Sequence, residues 1–277
     1  MATSPPCKNL SGYGQVHTTV SAEAIRFALR EVFAGAGSPT NRTWDDDART
    51  NSWEDHTFAG WKKSDGKTYV DDDLLGFMTA DAAKEENTKG SANVRRSPLE
   101  ITRAISLTPW SGDVTFNAAS PGATPSAAKK GNNPVPYGTE LHATRYQFGI
   151  ALTPDRLRVQ GRAAEALRAL VSLRKVAGNH GRFLYDFAPE SIIIRITADP
   201  APRLLYCFDT ADGGKTVAAP DLVRRVQAGD ILPEELVIGG PVAGLEDVKK
   251  LGIPAENLLA GVRAAVDRAI AILGKTP

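Results

Sequence analysis

The run Ser97-Pro-Leu-Glu-Ile-Thr-Arg-Ala-Ile-Ser-Leu107 constrains this 277-residue chain most, because its apolar side chains recur with a period of two. Leu99, Ile101, Arg103, Ile105 and Leu107 share one parity, and Glu100, Thr102, Ala104 and Ser106 share the other. The run reads as a strand whose inner face is apolar except for Arg103. Arg95 and Arg96 lead into it. Three guanidinium groups at one sheet margin form a candidate seat for an anion such as phosphate, although ordinary surface ion pairs also account for them.

Upstream, Ser21 is placed to cap a helix carrying Ile25, Ala28, Leu29, Val32 and Phe33 on one stripe, which ends near Gly35 or Gly37. Arg26 and Arg30 lie four apart on its flank and either meet solvent or grip phosphates. Residues 38–65 are polar but hold Trp44, Trp53, Phe58 and Trp61, which marks an ordered excursion rather than a linker. These aromatic rings either form a small core of their own or stack on bases. The acid runs Asp45-Asp46-Asp47 and Asp71-Asp72-Asp73 are weak metal candidates, since neighbouring side chains diverge and no histidine pairs with them at ligand spacing. Asp73 to Met78 is a short apolar element returning to the core.

After Trp110 a loop rich in Gly, Pro, Ala and Ser runs through Tyr137, with Lys129 and Lys130 near its tip. Residues 140–152 alternate as a strand, with Tyr146 and Phe148 on one side and Arg145 on the other. Residues 161–176 have helical spacing, leaving Arg168, Arg174 and Lys175 outward, and the Gly-rich loop 177–182 follows. Strands are expected over 187–197 and 203–208, and a mainly helical region over 220–273. Its last helix is expected to include Leu258, Leu259, Val262, Ala265, Val266, Ala269, Ile270 and Leu273.

Formal net charge is +1, but residues 44–86 hold 12 acids against 5 bases while residues 88–182 hold 14 bases against 5 acids. A basic block of that kind can follow a polyanion, and the acidic one can face basic surfaces on a neighbour or deter nucleic acid. Cys7 and Cys207 have no zinc-ligand spacing, no leader-like apolar run opens the sequence, and no stretch has the length of a membrane span. A cytoplasmic chain without cofactor or metal is expected. One elaborated domain spanning residues 1–277 is expected, in the α+β class, with an element order compatible with a ferredoxin-like (RRM-like) sheet.

Four strings carry a resemblance: His17-Thr-Thr-Val-Ser-Ala-Glu-Ala-Ile-Arg-Phe-Ala-Leu-Arg30, Asp73-Leu-Leu-Gly-Phe-Met78, Arg95-Arg-Ser-Pro-Leu99 and Pro136-Tyr-Gly-Thr-Glu-Leu-His142. In this order they resemble the DevR-like branch of the Cas-seven family, the backbone subunit of type I CRISPR Cascade, most like the type I-B form. The resemblance implies an RRM-like palm with a finger-like insertion at 38–72, a thumb-like loop at 109–139 and a helical C-terminal region at 219–274. It implies no catalytic residues and polymerisation along a guide crRNA whose exposed bases pair with target DNA. Further copies of the chain, a large subunit, Cas-five-type and Cas-six-type subunits, and a recruited nuclease or transposition machinery are the implied partners; no membrane is involved.

Carried across by position, Arg26 and Arg30 meet guide phosphates, Arg95, Arg96 and Ser97 line the palm groove, and Asn179, His180 and Arg182 hold the backbone; Arg103 and Arg145 are further expected RNA contacts. Phe77 and Met78 are the wedge beside a kinked nucleotide. Relatives of this kind usually have a longer segment before the His17 string, which implies a first palm strand that is shortened or built differently here. Two other readings stand beside this one: a metal-dependent nuclease using the acid runs, and a regulator acting through protein contacts alone.

Overall fold

Leu99–Ile101 and Ala104–Ser106 follow one another closely but do not present the same parity to the core, and they belong to two small neighbouring sheets. The computed structural model describes residues 7–8, 14–80, 92–121, 135–177 and 185–274. Leu99–Ile101 pairs antiparallel with Ile150–Leu152, Ile101 opposite Ile150, while Ala104–Ser106 pairs with Tyr146–Gln147, Ile105 opposite Gln147. Three residues, Thr102 to Ala104, therefore face only Phe148 and Gly149. The surplus residue is a bulge. It is held by Thr102 N donating to Gly149 O at 2.9 Å and Gly149 N donating to Thr102 Oγ1 at 2.8 Å.

A one-residue offset exchanges the faces of a strand. Leu99 is buried before the bulge, and Ala104 and Ser106 are buried after it, while Arg103 is exposed. The expected continuous apolar face through Arg103, Ile105 and Leu107 is thereby corrected: the alternation resets at Thr102. Thr19–Val20 pairs with the other edge of Ala104–Ser106, which makes that segment the middle of three strands.

The first helix, α1 (Ala22–Gly35), is capped as its sequence predicts, with Ser21 Oγ accepting from Ala24 N at 3.2 Å. Its buried Ile25, Ala28, Leu29 and Phe33 join Leu99 in the main core. Between it and the sheet lies α2 (Val70–Leu75), buried at every residue. The polar excursion is indeed ordered: Arg42–Asp45 and Thr50–Trp53 form an antiparallel hairpin, followed by a 3-10 turn at Ala59–Lys62. Phe77–Ala80 then pairs with Ala92–Arg95.

The Gly- and Pro-rich segment also forms a hairpin, Val114–Ala119 against Val135–Glu140, with Phe116 82% exposed. The expected tip lysines Lys129 and Lys130 lie outside the described residues. Helix α3 (Arg162–Leu170) stops six residues before the expected end, yet Leu173 and Val176 remain buried beyond it.

Ile192–Arg195 pairs antiparallel with Leu236–Gly239, which runs parallel to Leu258–Leu259. Three helices accompany this separate sheet: α4 (Pro220–Gln227), α5 (Glu246–Lys249) and α6 (Val262–Leu273). Helices and 3-10 turns take up most of the region 219–274, with the two short strands Leu236–Gly239 and Leu258–Leu259 set among them. Leu258 and Leu259 belong to the sheet because Gly261 separates them from α6 as its N-cap. The expected strand at 203–208 is a turn, since Tyr206 adopts φ 52°, and a strand begins only at Asp209. The class is mixed α+β.

Candidate nucleic-acid interface

Three consecutive carboxylates on α2 organise the arginines singled out in the sequence. Asp71 accepts from the backbone N–H of Asn41 at 2.7 Å and of Arg42 at 3.1 Å, with Arg30 Nε 3.5 Å away. Asp72 accepts from Asn41 Nδ2 at 2.8 Å. Asp73 accepts from Arg95, from Arg162 Nη1 at 2.7 Å, and from the N–H groups of Arg158 at 3.0 Å and Val159 at 3.1 Å. Each carboxylate faces a different set of partners, as divergent side-chain directions along a helix require. Among the described residues no group of three or more His, Cys, Asp or Glu side chains is placed to hold a metal.

Burial, with the neighbouring Asp71 adding to it, pushes the Asp72 carboxyl up to about 7. Asn41 is fully buried and clamps both ends of the hairpin, its Nδ2 donating to Asp55 O at 2.9 Å and its Oδ1 accepting from Asp55 N at 2.7 Å. The excursion is thus anchored to α2 through the Asn41 amide side chain and the backbone N–H groups of Asn41 and Arg42.

On the Asp73 side, Arg95 and Arg96 line a cleft of about 330 Å³ together with Trp61, Phe77, Val94 and Arg156. Phe77 stacks on Phe58 with ring centroids 3.9 Å apart, and Trp61 lies 5.7 Å from Phe77. The Arg95 guanidinium lies 4.3 Å from the Trp61 ring centroid and that of Arg158 lies 5.1 Å from it, so one indole holds two cations by its π face. Two buried donors in this cleft wall, Trp61 Nε1 and Arg95 Nε, have no hydrogen-bond partner among the described residues. Arg96 is 75% exposed, and its side chain pairs among the described residues with Glu100, at 2.7 Å. Met78 is also largely exposed. Ser97 Oγ donates to Leu74 O at 2.9 Å, tying the arginine segment to α2.

The remaining candidates do not join this cleft. Arg26 donates to Leu75 O, and Arg30 is held beside Asp71; burial lowers both guanidinium pKa values, with Arg42 adding repulsion. Arg103 Nη1 donates to Thr19 Oγ1 at 3.3 Å. Arg145 donates to Glu190 at 2.6 Å and to Gly214 O at 2.7 Å, at the edge of a second cleft of about 550 Å³ that also holds His142, Thr108 and Thr144. Burial, then the nearby His17, lowers the His142 pKa, and its Nδ1 lies 2.7 Å from Thr18 Oγ1. Asn179, His180 and Arg182 lie outside the described residues.

Sequence reasoning missed Arg156, Arg158, Arg162 and the anchoring role of Asn41. No local spacing marks them, because Arg162 meets Asp73 across 89 residues and Asn41 meets Asp72 across 31. The acid triplet was the available signal, and charge balance was its meaning.

The profile of a family described as "CRISPR-associated negative auto-regulator DevR/Csa2" matches residues 6–209. A relative from Myxococcus xanthus (strain DK1622), "CRISPR-associated protein Cas7/Cst2/DevR", is 59% identical over 249 residues, covering 90% of this chain and 80% of its own. Two solved chains share the fold, each with TM-score 0.53. One belongs to a "CRISPR RNA-guided surveillance complex, pre-nicking", at 16% identity over 96% of this chain and 93% of that one. The other belongs to a "CRISPR RNA-guided surveillance complex", at 18% identity over 95% and 91%.

Proposed function

This chain belongs to the CRISPR-associated DevR/Csa2 family, and from that premise we propose that it is the crRNA-binding backbone subunit of a type I Cascade effector. Copies line the guide RNA in series and present its bases for pairing with target DNA. The observation that carries this reading is the cleft between Trp61, Phe77, Arg95, Arg96 and Arg156, which sets the exposed guanidinium groups of Arg96 and Arg156 beside aromatic rings. Guanidinium groups grip phosphate oxygens, and a polyanion repeats them.

In this reading the ferredoxin-like palm is the sheet through Ala104–Ser106, the finger-like insertion is the hairpin beginning at Arg42, and the thumb-like loop is the hairpin carrying Phe116. Arg96 and Arg95 grip the guide backbone with Ser97 beneath them, while Arg26 and Arg30 extend the positive margin around α2. Exposed Met78, backed by Phe77, is the wedge beside a kinked nucleotide. Asn179, His180 and Arg182 add contacts from the Gly-rich loop, and Arg103 and Arg145 lie farther along the groove.

The subunit does no chemistry of its own; sequence is read by base pairing. Large, Cas-five-type and Cas-six-type subunits complete the effector, which recruits a nuclease or transposition proteins. The chain works in the cytoplasm, and no helix among the described residues is long and apolar enough to cross a membrane.

The test is purification of the native complex at low salt, with sequencing of any extracted nucleic acid. RNA of uniform length with repeat-derived ends is the expected result. An assembled complex free of RNA overturns the proposal.

A further inference from the structure

The outer face of α1 carries Glu23, Phe27 and Glu31 at four-residue intervals, all exposed. Phe27 is a large apolar residue, 42% exposed, set between two acids. The Trp44 ring meets it edge-on with centroids 6.4 Å apart and is itself 38% exposed. Asp46 Oδ1 accepts from Trp44 Nε1 at 2.9 Å, so the indole is fixed in the orientation it presents outward. The result is a pre-set aromatic pair ringed by Glu23, Glu31, Asp46 and Asp47. Of these, Glu31, Asp46 and Asp47 form no salt bridge among the described residues.

A rigid aromatic centre with a charged rim has the make-up of a protein docking surface. Its exposed acids call for a cationic partner. This chain carries exposed cations elsewhere: Arg174 and Lys175 form no salt bridge among the described residues, and Arg168 is only loosely held, 3.8 Å from an exposed Asp267. Head-to-tail assembly requires two unlike, complementary patches on one subunit.

We propose that the Phe27–Trp44 patch of one copy docks on the Arg168, Arg174 and Lys175 face of the next copy, forming the joint that repeats along the guide. This rests on the backbone-subunit reading and assigns its self-contact. The aliphatic stems of the cations cover the two rings while their heads meet Glu31 and Asp47.

The test uses the full chain with two RNAs, one long enough for a single copy and one for several. Glu31→Lys with Asp47→Lys reverses the acidic rim and leaves Asp46 to hold Trp44. Arg174→Glu with Lys175→Glu reverses the other face. Each reversed protein is expected to bind the short RNA within about twofold of the unchanged chain, which also reports its folding, and to lose about tenfold or more in cooperative loading on the long one. An equimolar mixture is expected to restore loading, since each reversed patch then meets a reversed partner.

Unchanged loading by either variant, or no recovery in the mixture, overturns the joint. Loss of short-RNA binding by Arg174→Glu with Lys175→Glu overturns it too, by giving that face to the RNA. If the unchanged chain binds neither RNA, the RNA-binding function falls and the joint falls with it.

Discussion

Asp73 and Arg162, 89 residues apart, meet at 2.7 Å with the carboxylate fully buried, and the same carboxylate holds Arg95. Truncating it strands two guanidinium groups, one of them buried, without a counter-charge. Asp73→Ala is expected to cost about 3–5 kcal/mol, the range for breaking a buried pair on one side. Urea unfolding measures it, and a loss under 1 kcal/mol contradicts the hub described for α2.

The raised Asp72 carboxyl sets a pH dependence of defined sign. Its value of about 7 in the fold against 3.8 ordinarily means that folding favours the protonated form. Its contribution is therefore fully present below pH 4, declines as pH rises toward 7, and is flat above. The span is on the order of 4 kcal/mol as an upper figure. Asp72→Asn is expected to flatten this decline and to gain on the unchanged protein at pH 8 but not at pH 4. Urea midpoints across that range decide it.

Arg96 and Arg30 separate binding from stability. Arg96→Ala removes a largely exposed side chain and is expected to leave stability within about 0.5 kcal/mol, while reducing the salt slope of RNA binding by about 1 for the lost phosphate contact. Arg30→Ala removes the cation beside buried Asp71 and is expected to lower the melting temperature as well. Filter binding at several salt concentrations, beside thermal melts, checks both.

Gly76 sits at φ 67°, and a Cβ there would lie 2.3 Å from Arg95 O and 2.8 Å from Ser97 N. Gly76→Ala combines left-handed strain with a backbone clash and is expected to cost about 3 kcal/mol or more, displacing the arginine segment from α2. A variant with an unchanged unfolding midpoint would show that α2 and this segment are not joined through Gly76.

Legibility followed distance along the chain. Helix α1 could be read with its cap and buried stripe, because Ser21, Ile25, Leu29 and Phe33 interact within a few residues of one another. The DevR branch could be read because its strings survive intact in order. The fate of the arginines could not be read, since their partners on α2 come from remote segments and nothing local distinguishes a guanidinium facing Asp73 from one facing solvent. Leu258 and Leu259 fit helical spacing as well as they fit a strand, and only pairing with Ile238 and Gly239 decides between them. Asn179, His180 and Arg182 lie outside the described residues.

The bulge at Thr102 gives the central strand two independent frames of tolerance. Before it, odd-numbered positions carry the packing constraint; after it, even-numbered ones do. A change harmless at Glu100 therefore says nothing about one at Ala104, although both share a parity. Straightening the bulge with every residue kept would send Ile105 and Leu107 inward and Ser106 outward. Deleting Thr102 or Arg103 would instead leave Ala104 and Ser106 facing the core, so the strand tolerates a shorter chain there better than a regular pairing.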